Sequence, residues 1–162
     1  MGYTHYWKFT QNPKDIKDGE KKFKKAVELL KKCIAKVPSE IDMVEYHWNN
    51  GGYESNTVKV PFVLAGGNGT GEPVFTDEKV CFNGLDDGNN DYSHETCYFA
   101  LDNPDGYDFD FCKTAEKPYD TAVCLALLCF KKAFGDDFSW SSDGNGSEYG
   151  WKTANQIFDN TK

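Results

Sequence analysis

Residues 112–120, CKTAEKPYD, gather Lys113, Thr114, Lys117, Tyr119 and Asp120 at the start of an apolar run. Cations and free backbone amides meeting at a helix N-terminus are what a phosphate or carboxylate ligand requires. Ordinary capping and solvation would use the same residue types. A second candidate is the glycine loop 65–72, AGGNGTGE, with Gly67, Gly69, Thr70 and Glu72. Successive amides in such turns can cradle an anion. Walker-A lysine spacing is missing, and Pro73-Val74-Phe75 stands where a helix would begin, so neither phosphate-loop fingerprint is present. A flexible turn and a ligand-contacting loop both fit. A third polar stretch, Ser141-Ser142-Asp143-Gly144, follows a short strand pattern, but no GxSxG elbow surrounds either serine.

The three histidines, His5, His47 and His94, form no HExxH or other close metal pair. His94 and Glu95 could do acid–base work, but adjacent strand residues point to opposite faces. His5 lies on the more apolar face of an aromatic strand, where a hydrogen-bonded core histidine is the plainer reading. The six cysteines, Cys33, Cys81, Cys97, Cys112, Cys124 and Cys129, include no CxxC pair. Each sits in an apolar pattern, where a free thiol behaves as a small hydrophobe. Cys124 and Cys129 are about 140° apart on a helix and do not face each other. Cys112, beside Lys113 and near a helix start, lacks a histidine partner and reads as packing. No metal and no cofactor are expected.

The elements that would hold these residues follow from periodicity. Residues 107–112 alternate, with Tyr107, Phe109 and Phe111 on one side and Asp108, Asp110 and Cys112 on the other; a strand with one buried face is expected. Pro118 suits a first helical turn, Asp120 the positive end of the helix, and Gly135 its C-terminal stop. Between them, 121–130 is nearly all apolar, so the helix should be buried around most of its circumference. The N-terminal residues 2–9 alternate as a strand, with Tyr3, His5 and Trp7 on one face. A helix over 15–36 carries Phe23, Ala26, Val27, Leu30 and Ile34 on one face. Its other face belongs to a run with eight lysines between Lys14 and Lys32, read as solvated or as a surface for an anionic partner. Strands are expected at 43–48 and 58–64 around a long NNGGYESN hairpin, then at 80–83, 95–101 and 138–142, with a last helix over 149–158. Consecutive strands without intervening helices imply α+β, a mainly antiparallel sheet of about five to seven strands with about three helices packed on it.

A chain of 162 residues is expected to form one domain, 1–162. The sequence has no run of about 18 apolar residues, no secretory leader pattern and no myristoylation motif, so a cytoplasmic protein away from membranes is expected. The net charge is −8 and all 18 basic residues are lysine. Without arginine forks, and with phosphate neutralisation dominating duplex affinity, binding to duplex nucleic acid is not expected.

Taken together, MGYTHYW, LAGGNGTGEP, VCFNG, FDFCKTAEKPYD and SSDG, with a tryptophan near the end, resemble a family of small bacteriophage and plasmid proteins. The resemblance spans nearly the whole chain in the same order. It implies an accessory protein of a phage or mobile element inside a bacterial host and brings no activity with it; proteins of this kind and size often look like counter-defence factors. The expected function is binding of a small anionic ligand such as a nucleotide signal. Its pocket would join His5, Trp7, Gly67, Gly69, Thr70, Glu72, Asn83, Lys113, Thr114, Lys117, Tyr119, Asp120, Ser141, Ser142 and Asp143, with Trp7 or Tyr119 stacking a base. Two alternatives stand beside it. One is an acidic inhibitor of a host defence protein, its carboxylates between Asp86 and Asp110 imitating nucleic acid. The other is an enzyme acting on a nucleotide through Asp120, Asp143 or His5. The oligomeric state is open.

Overall fold

The computed structural model describes residues 2–162. Its centre is helix α2, Asp120–Phe134, whose apolar residues are buried on nearly every side. Gly135 ends it at φ +58°, a conformation that favours glycine. Helices α1, Gly19–Ile34, and α3, Tyr149–Thr161, flank it. Beneath it runs a three-stranded antiparallel sheet with β1, Thr4–Phe9, in the middle. Its neighbours are the segments 110–113 and 138–142. Before them in the chain come β2, Glu40–Asn49, and β3, Gly52–Pro61, paired as an isolated ribbon. The short strand β4, Leu64–Ala65, pairs with the end of β6, Lys79–Gly84, and β5, Val74–Phe75, pairs along one edge of it. Strand β7, Cys97–Ala100, takes the other edge. Strands β8, Asp110–Lys113, and β9, Phe138–Ser142, complete the set.

The α+β class and the antiparallel pairing agree with the sequence reading; the nine strands are divided among three sheets. The two shortest strands, β4 and β5, have too few residues to show a period and were not foreseen. The ribbon is longer than its apolar pattern, because Asn50 and Gly51, at φ +46° and +86°, form a tight two-residue turn that extends pairing from Asn49↔Gly52 down to Glu40↔Pro61. Helix α1 is shorter than the lysine-rich segment: Pro13–Asp15 forms a separate 3₁₀ turn, and the helix starts only at Gly19.

The alternation over 107–112 left open which face is buried, and the structure decides it. In β8 it is Cys112 that is buried, while Phe109 and Phe111 are about half exposed. The pairing with β1 decides this: Cys112 lies opposite His5 and Phe111 opposite Tyr6, and paired residues share a face. Strand β1 turns His5, Trp7 and Phe9 inward, so β8 must turn Cys112 inward with them.

The buried side chains form one continuous cluster. At its heart Phe130 stacks on Phe99 with ring centroids 4.2 Å apart, and Trp7 stacks on the other side of Phe99 at 4.8 Å. All six cysteines are free thiols, and all but the half-buried Cys81 are buried. Among the described residues no helix is long and apolar enough to cross a membrane.

Candidate functional site

Three separated polar motifs meet where β1, the start of α2 and the end of β9 converge. His5 comes from β1, Thr114 and Asp120 from the hinge, and Ser142 from β9. His5 is fully buried, and its Nε2 lies 2.6 Å from Asp120 Oδ1. Thr114 donates its hydroxyl to the same oxygen at 2.6 Å. On the other side of the ring, Ser142 Oγ lies 2.9 Å from His5 Nδ1.

The hydrogen-bond count fixes the proton positions. Ser142 Oγ accepts from Gly144 N–H at 3.0 Å and from the Trp151 indole N–H at 3.1 Å, which fills both of its lone pairs. Its own hydrogen therefore goes to His5 Nδ1, and the ring proton sits on Nε2, donated to Asp120. The chain runs Ser142 → His5 → Asp120, with Thr114 donating from the side. A serine whose lone pairs are both occupied is no nucleophile, so a hydrolytic triad does not follow from the resemblance of residue types.

The same count bears on metal binding. His5, Asp120 and Cys124 bring ligand-type atoms within 4.8 Å of one another. Cys124 Sγ lies 3.7 Å from Asp120 Oδ2 and 3.9 Å from His5 Nε2. A metal would need a lone pair on His5 Nε2, and hence a hydrogen on Nδ1 donated to the already filled Ser142 oxygen. Burial, then the Asp120 carboxylate, push the Cys124 thiol well above its ordinary value, away from the thiolate a metal requires. The cluster fits a hydrogen-bonded array better than a metal centre.

Around this array the backbone is drawn in closely. Asp143 Oδ2 accepts the Thr4 amide at 3.0 Å, holding β9 to β1 beyond their last pair. The Tyr3 and Trp151 rings stand edge-on to His5 at 5.2 and 5.6 Å. The Tyr3 hydroxyl is buried without a partner, and burial raises its pKa, helped by Asp120. A Cβ on Gly144 would sit 2.3 Å from that hydroxyl, and one on Gly150 would sit 2.3 Å from Asp120 Oδ2. Only glycine leaves room for these approaches. In the hinge, Ala115 and Glu116 both adopt left-handed backbone, at φ +52° and +56°. Two consecutive non-glycine residues there store strain of the kind found at functional sites.

Asp120 also lines a surface pocket of about 210 Å³. Its walls are Glu116, Lys117 and Pro118 of the hinge, Asp120 and Thr121 at the start of α2, the segment 147–150, and Asp42 and Val44 from the base of the ribbon. The pocket is acidic. Asp42, Glu116, Asp120 and Glu148 face it, with Lys117 as the one basic residue in its lining. Burial raises the Glu116 carboxyl, and the Asp120 and Glu148 charges add to the rise. Burial acts likewise on Glu148, but the amides of Asn145 and Gly146, at 2.8 and 3.1 Å, outweigh it and hold that carboxyl low.

The raised Glu116 value has a consequence for stability. A carboxyl whose pKa is higher folded than unfolded binds more protons in the folded state between the two values, so stability falls as pH rises through that window. Glu116→Gln removes the ionisation. The variant should melt no lower than the parent at neutral pH, and should lack the parent's gain on acidification through the window just above the ordinary glutamate value. Parallel pH profiles of the melting temperature for the two proteins would refute the assignment.

The remaining expected residues lie elsewhere. Trp7 and Tyr119 are core rings, at 4% and 0% exposure, and cannot stack a ligand base. Tyr119 donates its hydroxyl to the Glu95 carbonyl at 2.7 Å. Asn83 is buried, with Nδ2 on the His94 carbonyl and Oδ1 accepting the Gly84 and His94 amides, so its side chain locks the 84–94 loop. The glycine loop packs on that loop: Gly69, at φ +83°, lies against Ser93, and its carbonyl accepts the Asp86 amide. Thr70 and Glu72 are exposed at its outer side, and none of Gly67, Gly69, Thr70 or Glu72 lines the acidic pocket. Lys117 Nζ donates to the Asp91 carbonyl at 2.8 Å, while Lys113 and Ser141 are exposed on the sheet. Asp86, Asp87 and Asp91 turn onto amides of their own loop rather than presenting a row of free carboxylates. Four lysines, Lys21, Lys22, Lys25 and Lys132, line a groove between α1 and α2.

Residue-by-residue reading did not single out Tyr3, Glu116, Cys124, Glu148, Gly150 or Trp151. Tyr3 and Glu116 stood inside the quoted motifs MGYTHYW and FDFCKTAEKPYD, and Trp151 is the tryptophan near the end that accompanies them; Cys124 read only as a core thiol, and Glu148 and Gly150 gave no signal. No family model matches the chain, and comparisons with curated proteins and with solved structures give no match either.

Proposed function

We propose that the chain is a binding protein whose ligand seats over Asp120, with the donor edge of a nucleobase turned inward and the phosphate outward. The observation that carries this reading is the state of the Asp120 carboxylate. Oδ1 is doubly satisfied by His5 and Thr114, whereas Oδ2 has only the weak Cys124 thiol at 3.7 Å and sits against the pocket-wall glycine Gly150. A buried anionic oxygen so poorly matched favours a strong donor. An acidic pocket repels a bare phosphate, so the anionic part of the ligand belongs at the rim near Lys117. Exocyclic amines of adenine, guanine and cytosine supply the donors that carboxylates read. The biological setting is the one the resemblance implies, an accessory protein of a phage or plasmid that sequesters a nucleotide signal.

A thermal-shift panel tests the reading. Nucleotides with exocyclic amines should raise the melting temperature more than uridine nucleotides. A ligand at about 100 times its Kd adds about 2.7 kcal/mol. The Glu116→Gln/Glu148→Gln double variant should lose the shift, and Lys117→Ala should weaken nucleotides while sparing nucleosides. A flat panel, or an equal shift with inorganic phosphate alone, would overturn it.

A further inference from the structure

The ribbon formed by β2 and β3 changes its apolar face along its length. Near the core, Ile41 and Val60 are buried opposite each other, and Met43 and Val58, also paired, pack against the cluster. Beyond that point the same face turns polar, with Glu45↔Asn56 and His47↔Glu54. The apolar residues move to the opposite face: Val44, Tyr46, Trp48 and Tyr53. A ribbon made only to be solvated would be polar on both faces here. Instead these four are among nine large apolar side chains exposed on the described residues, at 36%, 62%, 64% and 75%. Trp48 and Tyr53 lie directly opposite across the strands, their rings edge-to-face at 5.0 Å.

We propose that this face docks a basic, partly apolar segment of another protein. Charge selects that occupant. On this face the ribbon carries the carboxylates Glu40 and Asp42 against the single lysine Lys59, which is ion-paired with Asp42; Glu45 and Glu54 lie on the other face. At its base the aromatic face runs into the pocket wall, where Val44 and Asp42 adjoin Glu116 and Glu148. A lysine or arginine side chain on such a segment meets an aromatic face at the tip and carboxylates at the base. Nucleic acid and anionic membranes carry the wrong sign for these carboxylates. A symmetric pairing with a second copy would set the same carboxylates against each other.

The docking face meets the nucleotide pocket only at its base, through Asp42 and Val44; Tyr46, Trp48 and Tyr53 do not line the pocket, so substitutions there test the two readings separately. The test titrates the whole protein by calorimetry with a short synthetic peptide alternating leucine and arginine. Its glutamate counterpart and a serine–arginine peptide serve as controls. The leucine–arginine peptide should bind, more weakly as salt is raised, and the Trp48→Ser/Tyr53→Ser variant should bind it about tenfold or more weaker. Because both residues lie beyond the core, the variant's melting temperature and its nucleotide response should be unchanged. The proposal is overturned by any of four results: no binding of the leucine–arginine peptide, equal binding of the glutamate peptide, undiminished binding by the variant, or self-association of the parent that the variant abolishes. The last would make a second copy the occupant.

Discussion

Asp120→Ala is expected to destabilise the protein by about 3–5 kcal/mol, the combined cost of orphaning two buried donors and removing a negative charge from a helix N-terminus. The reason lies in what stays behind. Asp120 is 4% exposed, and its Oδ1 accepts both the His5 Nε2–H and the Thr114 hydroxyl. Alanine leaves those two donors buried and unpaired, each costing about 1–3 kcal/mol. Loss of the negative charge at the positive end of α2 adds a few tenths to about 1 kcal/mol. Relief of the carboxylate's own desolvation works the other way and keeps the sum from rising further. Asp120→Asn separates charge from hydrogen bonding: its carbonyl can still accept from His5 and Thr114, so its cost should be well under half that of alanine. Urea denaturation of the three proteins measures both. An alanine variant within about 1 kcal/mol of the parent would mean that water replaces Asp120 at the foot of the pocket, and the tautomer argued for His5 would lose its anchor.

Most of that array lies beyond the reach of local reading, for a definite reason. The His5–Asp120 and Ser142–His5 contacts join residues 115 and 137 apart in sequence. Each side chain taken alone has an ordinary alternative as a cap, a core histidine or a turn serine. The resemblance placed these residues in motifs, but their pairing depends on β1 lying between β8 and β9, an order that periodicity does not encode. What was legible was locally determined. Gly135 ends α2 because left-handed backbone is a property of a single residue, whereas Pro118 stands in the turn before the Tyr119 cap and not in the first helical turn expected of it. Asn50-Gly51 fixes the ribbon turn for the same reason.

The buried face of β8 shows where local reading stops. Its aromatic residues outweigh Cys112 in apolar area, yet the partner strand sets the parity, and Cys112 follows His5 inward. The acidic character of the pocket was hidden in a similar way. The hinge lysines were visible, but Lys117 is held by the Asp91 carbonyl, and Glu148 arrives from the far end of the chain.

Phe130→Ala is expected to cost about 3–5 kcal/mol, at the upper end for a core truncation. Phe130 is fully buried, with Phe9, Phe23, Phe99, Phe134 and Phe138 around it at centroid separations of 4.2 to 6.2 Å. The cavity can close only if these rings move, and they belong to β1, α1, β7, α2 and β9. Relaxation at one element is resisted by the others, which is the condition for a large cavity penalty. Lost aromatic contacts add about 0.5–1.5 kcal/mol each beyond area, though not additively. Phe130→Leu keeps most of the volume and should cost about 1–1.5 kcal/mol. The denaturant midpoint should fall with the slope unchanged if the cavity is local. A cost near that of a surface substitution would show that the aromatic cluster does not pin α2 against β1. That pinning is also what sets His5 opposite Asp120, because β1 carries both Phe9 and His5 while α2 carries both Phe130 and Asp120. A cheap Phe130 truncation would therefore weaken the structural basis of the site as well as that of the core.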